Sequence, residues 1–375
     1  MEKAKVYYTN FKTTGNENLL QKLRRLCITA GMKNIDFEDK YAAIKIHFGE
    51  YGNLAFLRPN YAKVVADIVK EQGGKPFLTD CNTLYVGSRK NALDHIDTAY
   101  ANGFSPFSTG CHVIIADGLK GTDEELVPVE GGEYVTEAKI GQAVMDADIF
   151  ISLTHFKGHE ATGFGGALKN IGMGCGSRAG KMEMHNQGKP AVDQSLCVGC
   201  GACQKICAHD APVIENKKAT IDLDKCVGCG RCIGACPKDA VHPTQSNSND
   251  VLNYKIAEYS KAVCDGRPCF HISLICDVSP NCDCHSENDV PIIPNVGMLA
   301  SFDPVALDMA CADLCNKQPI LHNHSVLHEN CMAHNEEAEE HDHFHMTHPD
   351  TNWKSCVAHA VKIGLGTDQY ELIEI

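Results

Sequence analysis

The feature that most constrains the fold of this 375-residue chain is a pair of cysteine runs with the same spacing. One run lies within residues 193–211 (DQSLCVGCGACQKICAHDA) and the other within 222–240 (DLDKCVGCGRCIGACPKDA). The cysteines occupy matching positions, as do the glycines beside them, and each run has the spacing C-x2-C-x2-C-x3-C. Such a repeat predicts one small module built from two similar halves, which we bound at 189–244.

The eight cysteines of these runs are typical of ligands to iron–sulfur clusters. Three thiolates this close in sequence can surround one corner of a cubane only where the loop curls tightly, and the neighbouring glycines permit that curl because they tolerate positive φ. The fourth cysteine of each run begins a helix directed at the other half and is expected to bind the other cluster. We therefore predict two crossed sets of [4Fe–4S] ligands: Cys197, Cys200, Cys203 and Cys236 in one, and Cys226, Cys229, Cys232 and Cys207 in the second.

Over this module the sequence resembles bacterial ferredoxins. Pro237 follows the fourth cysteine of the second run, as that resemblance implies, whereas Ala208 takes the place of proline in the first run. This replacement loosens the local geometry and removes no ligand. A zinc site is the alternative, but zinc motifs use two pairs of ligands and not two quartets with this spacing.

Composition narrows the classes of function. The chain has 34 Lys and Arg against 48 Asp and Glu, a formal charge of −14. This balance argues against a nucleic-acid partner, because phosphate backbones are bound by clustered Lys and Arg. No apolar run approaches the roughly 20 residues that span a bilayer, and the start MEKAKVYYTN lacks the apolar core of a signal peptide. The 21 cysteines favour metal or redox chemistry. We expect a cytoplasmic protein with no nucleic-acid or membrane partner.

The segments on either side of the module have the alternating pattern of an α/β protein. Apolar runs predict strands at 4–8, 42–47, 76–79, 112–116, 148–153, 269–276 and 296–300. Helical apolar spacing predicts helices at 17–30, 60–72, 89–101, 136–146, 250–263, 303–316 and 353–363. Strands separated by helices favour a mostly parallel sheet flanked by helices. We expect one α/β domain, formed by residues 1–188 and 245–375, with a small α+β ferredoxin-like domain (189–244) inserted; three separate domains are the alternative.

Several strings outside the module resemble a known family. They are HFKGHEATGFGGALKNIGMG (155–174), CDVSPNCDC (276–284), NVGMLASFDPVALD (295–308), HPDTNW (348–353) and IGLG (363–366). The chain is identified by them as similar to the family called domain of unknown function 362, or DUF362. Similar members often carry the same ferredoxin insertion. The family has no general assigned activity, so the resemblance implies an architecture and cofactors and no particular reaction.

In open parallel sheets, ligands bind beyond the carboxyl ends of the strands. The polar residues that follow the predicted strands are His47, Asp80, Cys81, Asp117, His155, Lys157, His159, Asp277 and Asp303. We assign the catalytic role to His155, Lys157 and His159, because three cationic or titratable side chains within five residues can bind an anion or transfer protons. The alternative is that such residues begin turns or cap helices, and for Asp303, which precedes Pro304, we favour the cap.

A glycine-rich segment follows the last strand before the module. Glycines after a strand let backbone N–H groups approach an anion, and the start of a helix assists. The segment matches neither a P-loop nor a clean G-x-G-x-x-G motif. Gly163, Gly165, Gly166 and Lys169 are the candidates for binding the phosphate of a flavin or nucleotide, and close packing of the chain is the alternative.

Two further groups of residues suit metals. Cys276, Cys282 and Cys284 form a C-x5-C-x-C motif that predicts a third metal or cluster site with an open position, and buried reduced thiols are the alternative. Residues 322–348 contain eight histidines, which we interpret as a solvated, metal-binding loop without a dedicated function. His348 is the best single candidate ligand there.

Three functions follow from these patterns. The first is a redox enzyme, in which two [4Fe–4S] clusters relay electrons from a soluble partner to a small-molecule site in the α/β domain. The second is an electron-transfer subunit without a substrate of its own. The third is a protein that handles metals or clusters, with the surplus Cys and His as transfer ligands.

Overall fold

The fold is described from a computed structural model, which covers residues 3–85, 87–185, 189–243, 248–334 and 342–375. The strands in chain order are β1 (Ala4–Asn10), β2 (Tyr41–Lys45), β3 (Lys75–Asp80), β4 (His112–Ile115), β5 (Glu124–Pro128), β6 (Glu137–Gly141), β7 (Ile149–His155), β8 (Lys157–His159), β9 (Gly163–Gly165), β10 (Pro190–Val192), β11 (Pro212–Glu215), β12 (Lys218–Ile221), β13 (Val241–Pro243), β14 (Cys269–Ile275), β15 (Gly297–Ser301) and β16 (Tyr370–Glu374).

The helices surround these strands. In chain order they are α1 (Leu19–Thr29), α2 (Pro59–Glu71), α3 (Ala92–Ala101), α4 (Pro106–Thr109), α5 (Gln142–Met145), α6 (Ala167–Cys175), α7 (Arg178–His185), α8 (Ala202–Ile206), α9 (Arg231–Ala235), α10 (Asn249–Cys264), α11 (Pro304–Asn316), α12 (Val326–His334), α13 (His343–Thr347) and α14 (Trp353–Lys362), with a short 3-10 helix at Met32–Asn34. None of the helices in the described residues combines the length and the apolarity that crossing a bilayer requires.

Eight strands form the central sheet in the order β16-β1-β15-β14-β7-β2-β3-β4. All neighbouring pairs are parallel except the two that involve β15, which runs antiparallel to β1 and β14. The sheet has helices on both faces, so its inner strands are buried on both sides, and β7 is buried at every position. The predicted α/β class with a mostly parallel sheet is therefore confirmed.

Alternation along the strands divides the core into two apolar layers. Ala42 and Ile44 face the layer that contains α1 and α2, whereas Ala43, between them, faces the layer that contains α6, α10, α11 and α14. The two-residue period of a strand produces this division, because successive side chains point to opposite faces of the sheet. Most predicted strands and helices lie within a few residues of their observed bounds.

Three features of the fold differ from the sequence predictions. The predicted helix at 136–146 is wrong, because Glu137–Gly141 pairs with Glu124–Pro128 as a hairpin and only Gln142–Met145 is helical. The last strand, β16, was not predicted; it pairs in parallel with β1 at the sheet edge. Asp303 lies at the other end of the sheet from the remaining candidates because β15 is antiparallel. As predicted, its carboxylate caps a helix, accepting hydrogen bonds from the N–H groups of Val305 and Ala306.

The module between β10 and β13 is small and folds upon itself. Strand β10 pairs antiparallel with β13, so the chain enters and leaves the module side by side. Between them lie the β11–β12 hairpin and the short helices α8 and α9, which contact each other. The boundary residues 188 and 244 lie outside the described residues, and the division at 189–244 stays a prediction.

Candidate functional site

A cavity of about 540 Å³ lies at the carboxyl ends of β2, β3 and β7. The strand ends contribute Lys45, His47 and Asp80 to its wall, and the β8–β9 hairpin that follows β7 contributes Lys157 and His159. These side chains meet because parallel strands deliver their following segments to the same edge of a sheet. The cavity is thus at the position that the sheet topology predicts for a ligand.

Helices and loops from other parts of the chain, α10 among them, complete the wall of the cavity. Helix α6 contributes Lys169, and α7 contributes Lys181 and His185, which are one turn apart and therefore share a helix face. The loop after β3 contributes Leu84 and Arg89, and the loop after β14 contributes Cys284 and His285. The residues that line the cavity therefore come from distant parts of the chain.

The floor of the cavity is a buried ionic network. Lys45 Nζ lies 3.0 Å from Asp80 Oδ1, and both side chains are almost fully buried. Burial opposes the ionisation of Asp80, but the attraction to its basic neighbours, Lys45 first among them, outweighs burial and holds the pKa of Asp80 well below its usual value. Burial, reinforced by Arg89, lowers the pKa of His47, so this imidazole is neutral at pH 7. Arg89 is in turn held by Glu50, with its Nε 2.8 Å from the carboxylate.

The three predicted catalytic residues have different positions. Lys157 and His159 line the cavity together with His47 and Asp80, as expected, but His155 does not. The ring nitrogens of His155 lie 3.1 Å from Asp283 Oδ2 and 2.7 Å from the carbonyl oxygen of Cys276. These contacts with a carboxylate and a carbonyl oxygen hold the ring against the loop that contains Asp283. The prediction for His155 is corrected: it holds Asp283 in place behind the cavity wall.

Asp283 contacts both His155 and Lys157 and so connects the residues of this wall. It is fully buried, and its carboxylate also lies 3.2 Å from the ammonium of Lys157. Burial opposes its ionisation, but Lys157 and His155 outweigh burial and hold the pKa of Asp283 well below its ordinary value. The carboxylate thereby fixes the loop in which Cys282 and Cys284 lie on either side of Asp283.

The structure brings together only two thiols of the predicted C-x5-C-x-C metal site. The ligand atoms of His159, Cys282 and Cys284 lie within 4.8 Å of one another, whereas no such group in the described residues includes Cys276. Cys276 packs instead in the apolar layer that contains α1 and α2, and burial raises its pKa to about 12. Its place in the predicted set is therefore corrected.

Cys282 and Cys284 differ in environment although they are two residues apart. Cys282 is fully buried, and the ammonium of Lys169 donates a hydrogen bond to its Sγ at 3.0 Å. Cys284 lies on the cavity wall and shares a hydrogen bond with Cys282. This hydrogen bond lowers the pKa of Cys284 and raises that of Cys282, because one proton is shared between the two sulfurs.

The glycine-rich segment packs against protein instead of facing the cavity. The N-terminus of α6 is occupied by the carboxylate of Asp308, which accepts hydrogen bonds from the N–H groups of Ala167 and Leu168 at 2.6 and 2.9 Å. A Cβ atom on Gly166 would lie 2.3 Å from Asp308, and one on Gly163 would lie 2.9 Å from Trp353. A Cβ atom on Gly165 would contact Lys157. The predicted phosphate site at these glycines is corrected to close packing, and only Lys169 of that set reaches the cavity.

The eight cysteines of the module form two groups around two small cavities. Cys197, Cys200, Cys203 and Cys236 line one cavity, and Cys207, Cys226, Cys229 and Cys232 line the other. The fourth cysteine of each run thus lies with the first three of the other run, which is the crossed arrangement that the spacing predicts. Four cysteines around one cavity suit a [4Fe–4S] cluster, and Gly199, Gly201, Gly228 and Gly230 have the positive φ that the tight loops require.

The module packs directly against elements of the large cavity. Leu84, which lines that cavity, belongs to one apolar cluster with Cys197, Cys203 and Met182. Met182 lies on α7, the same helix that presents Lys181 and His185 to the cavity. One apolar cluster therefore joins cysteines of the module to residues of the large cavity wall and of α7.

The histidine-rich segment forms no metal-ligand group in the part of the chain that the structure describes. His348 Nε2 donates to the carbonyl oxygen of Pro280 at 2.8 Å, so its role is to hold the loop that precedes Cys282. The rings of His322 and His324 each pack edge-on against that of His328. His341 lies outside the described residues.

Sequence reasoning missed several residues of the cavity. Lys45 interrupts the apolar run AAIKIHF, and a lysine within a buried strand is a signal that was available. Lys181 and His185 gave only a weak signal, an i, i+4 pair in a short helix. Arg89 and Asp283 gave none, since their buried partners are distant in sequence.

The fold and site define an α/β protein with a cysteine-rich module beside a polar cavity. The sequence model of the family described as "Domain of unknown function (DUF362)" matches residues 42–313, and the chain belongs to that family. A relative is the thylakoid-associated protein sll1697 of Synechocystis sp. (strain ATCC 27184 / PCC 6803 / Kazusa), 28% identical over 130 residues. That match covers 33% of this chain and 34% of the relative, so the chain spans about a third of its length.

Two solved structures show weak similarity. A protein from Thermotoga maritima has a TM-score of 0.39 at 12% identity, covering 82% of this chain and 60% of the other. The lactate racemase apoprotein from Thermoanaerobacterium thermosaccharolyticum has a TM-score of 0.32 at 12% identity, covering 73% and 51%. At these scores neither structure carries a functional argument, and the fold assignment rests on the strand order of this chain.

Proposed function

We propose that this protein is an iron–sulfur redox enzyme, in which two [4Fe–4S] clusters in the inserted module (189–244) serve a small-molecule site in the large cavity. The observation that carries the proposal is the crossed grouping of the eight cysteines around two small cavities. When bound, the clusters would supply one-electron transfer. The residues of the chain hold the clusters, exclude water and bind the substrate.

The module supports an exchange of electrons with a soluble partner. Cys200 is exposed, and the apolar side chains of Val198 and Val227, in matching positions of the two runs, are more than half exposed. These residues give a partner apolar surface at the rim of each cysteine group. Leu84, which lines the large cavity, belongs to one apolar cluster with Met182, Cys197 and Cys203, and this packing supports electron exchange between the module and the cavity.

The cavity favours an enzyme over an electron carrier without a substrate. Five cationic side chains line it, but Lys45, Arg89 and Lys157 are each paired with a carboxylate, of Asp80, Glu50 and Asp283 respectively. The ammonium groups of Lys169 and Lys181 donate instead to a thiol and to a backbone carbonyl oxygen, so their positive charge is available to a ligand in the cavity. This charge suits a small anionic substrate, because low-dielectric walls strengthen the attraction.

Protons at the cavity are supplied by side chains that line it. Neutral His47 has Nε2 2.9 Å from Arg89 Nη1 and accepts a hydrogen bond from it. The Nδ1 atom of His159 accepts the N–H groups of Ala161 and Thr162, which leaves the other nitrogen to donate. We propose that His159 donates a hydrogen bond to the substrate through Nε2 and that the Lys157 ammonium binds the substrate or donates a proton to it, with His155 as a positioning residue.

The proposal is tested by titrating electrons into the anaerobic, iron- and sulfide-loaded full chain with reduced methyl viologen. We expect the visible absorbance of the clusters to bleach on uptake of about two electrons per chain, one for each cluster. The Cys276→Ala variant serves as the control and should bleach to the same extent, because this thiol lies in the core outside both cysteine groups. The absence of any bleaching in a folded, loaded chain would overturn the proposal.

A further inference from the structure

The two sulfurs of Cys282 and Cys284 form a pair that the cluster module does not explain. Their positions are unequal: Cys284 is accessible from the cavity, and Cys282 lies fully buried behind it. The loop that carries both is fixed by Asp283, and Arg89 Nη2 donates to the carbonyl oxygen of Cys284 at 3.2 Å. A cavity-facing thiol backed by a buried thiol is the arrangement of an attacking and a resolving cysteine.

The surroundings oppose a metal ion held by His159 and both sulfurs; the second group of potential ligands here, Glu160, Cys284 and His285, includes one sulfur of the pair. The Nδ1 atom of His159 already accepts two backbone N–H groups, at 3.1 and 3.2 Å. The neutral ring must then carry its proton on Nε2 and has no lone pair left for a metal. The ammonium of Lys169 donates directly to Cys282 Sγ, where a metal cation would be repelled. Cys276, the third predicted thiol, packs elsewhere.

We infer that Cys282 and Cys284 are a redox-active dithiol that reduces small anionic disulfides in the cavity. In the first step, the Cys284 thiolate attacks one sulfur of the substrate disulfide; a Cys284–substrate mixed disulfide forms, and one substrate thiolate leaves. In the second step, Cys282 loses its proton to the departing sulfur and attacks Cys284. The Cys282–Cys284 disulfide forms, and the second half of the substrate leaves as a thiol.

The dithiol must then be regenerated. Two electrons and one proton convert the Cys282–Cys284 disulfide into one thiol and one thiolate, and the Lys169 ammonium offsets the negative charge. This part of the inference rests on the proposed function, because the two electrons would come from the clusters that the module's cysteines would hold, with a soluble one-electron donor as their source. A disulfide that bridges a single intervening residue is strained and therefore easily reduced.

The cavity selects the kind of disulfide. The ammonium groups of Lys169 and Lys181 line the same cavity as Cys284 and attract negative groups of a substrate into it. Glutathione disulfide, which is anionic, should therefore react faster than cystamine, which is cationic. The volume of about 540 Å³ is in the range of pockets for small molecules.

The test traps the mixed disulfide in the full, anaerobically reduced chain. The Cys282→Ser variant lacks the resolving thiol, so treatment with glutathione disulfide should leave one glutathione on Cys284, identified by peptide mass mapping. The Cys284→Ser variant should acquire none at position 282. The matched control is Cys269→Ser, which alters the other close thiol pair, Cys264 and Cys269, outside the cavity.

Each outcome decides between the alternatives. A mixed disulfide on Cys284 that forms at least tenfold more slowly with cystamine than with glutathione disulfide supports the inference. This holds even in a chain that fails to bind clusters, because that failure would count against the proposed function alone. Equal labelling of Cys264 or Cys269 and Cys284 overturns the inference, because the reaction would then be unspecific. The inference is also overturned if about one equivalent of added Zn²⁺ protects both sulfurs and they still do not react with the disulfide after a chelator is added. That result assigns a metal site.

Discussion

Asp283 offers the sharpest test of how the cavity wall is held together. The substitution Asp283→Ala removes the carboxylate and leaves the ammonium of Lys157 and the ring of His155 buried without it; those side chains are only 5% and 2% exposed. Breaking a buried ion pair by removing one partner costs about 3–5 kcal/mol, because an uncompensated charge is left in a low-dielectric site. We expect a loss of that size in the free energy of unfolding at pH 7.

A matched control separates this effect from the loss of any surface charge. Asp67 pairs with Lys63 at 2.8 Å across one turn of α2, and both side chains are about half exposed. Asp67→Ala should cost only about 0.5 kcal/mol. The free energies come from urea unfolding of reduced, anaerobic protein, followed by far-ultraviolet circular dichroism and by tyrosine and tryptophan fluorescence. Coincident transitions from the two probes justify the two-state analysis.

The coupling between Asp283 and Lys157 gives the result that would refute the reasoning. When Lys157 is replaced by Met, the buried ammonium is gone, and Asp283→Ala should cost at least 1 kcal/mol less, roughly the coupling expected of residues in contact. If Asp283→Ala costs the same in both backgrounds, the ion pair does not stabilise the wall. Because neighbours hold the pKa of Asp283 well below 3.8, its contribution is present at neutral pH and is lost only in strong acid.

Three further predictions follow from the site. Cys207→Ala should perturb the electron paramagnetic resonance signal of the cluster held by Cys226, Cys229 and Cys232; a change confined to the other cluster would show that the ligands are not crossed. Cys276→Ala should destabilise the fold by about 1 kcal/mol in urea unfolding through lost packing, with an unchanged iron content per chain. Burial raises the pKa of Asp308 to about 7, so the ionised form is disfavoured in the folded state and stability falls as the pH rises from about 4 to 7; in Asp308→Asn this part of the pH dependence should vanish, and an unchanged urea-unfolding profile would contradict it.

Local patterns were sufficient to predict most of the fold. The buried strands of the sheet are apolar runs bounded by turn residues, and the long helices show apolar spacing, so their positions follow from the sequence. The helix prediction for 136–146 failed because the first half of this segment has apolar residues at both strand and helix spacing. Only the pairing with Glu124–Pro128 determines that it is a strand. The direction of β15 has no local signal at all, since it depends on which neighbours it pairs with.

The candidate site was predictable in part. The topology of parallel strands placed Lys157 and His159 beside His47 and Asp80 without any knowledge of the cavity. His155 failed because it lies at the end of a strand whose side chains alternate between faces, and its contact with Asp283 spans 128 residues of sequence. Cys276 failed for a related reason: proximity in sequence to Cys282 does not imply proximity in space when a strand ends between them.

The measurement that tests the central claim most directly is the iron and sulfide content of the full chain after anaerobic reconstitution. The crossed cysteine groups predict about eight iron and eight sulfide per chain, with two paramagnetic clusters on reduction. Iron near one per chain with no sulfide, or zinc in place of iron, would contradict the assignment of the module and with it the proposed redox function.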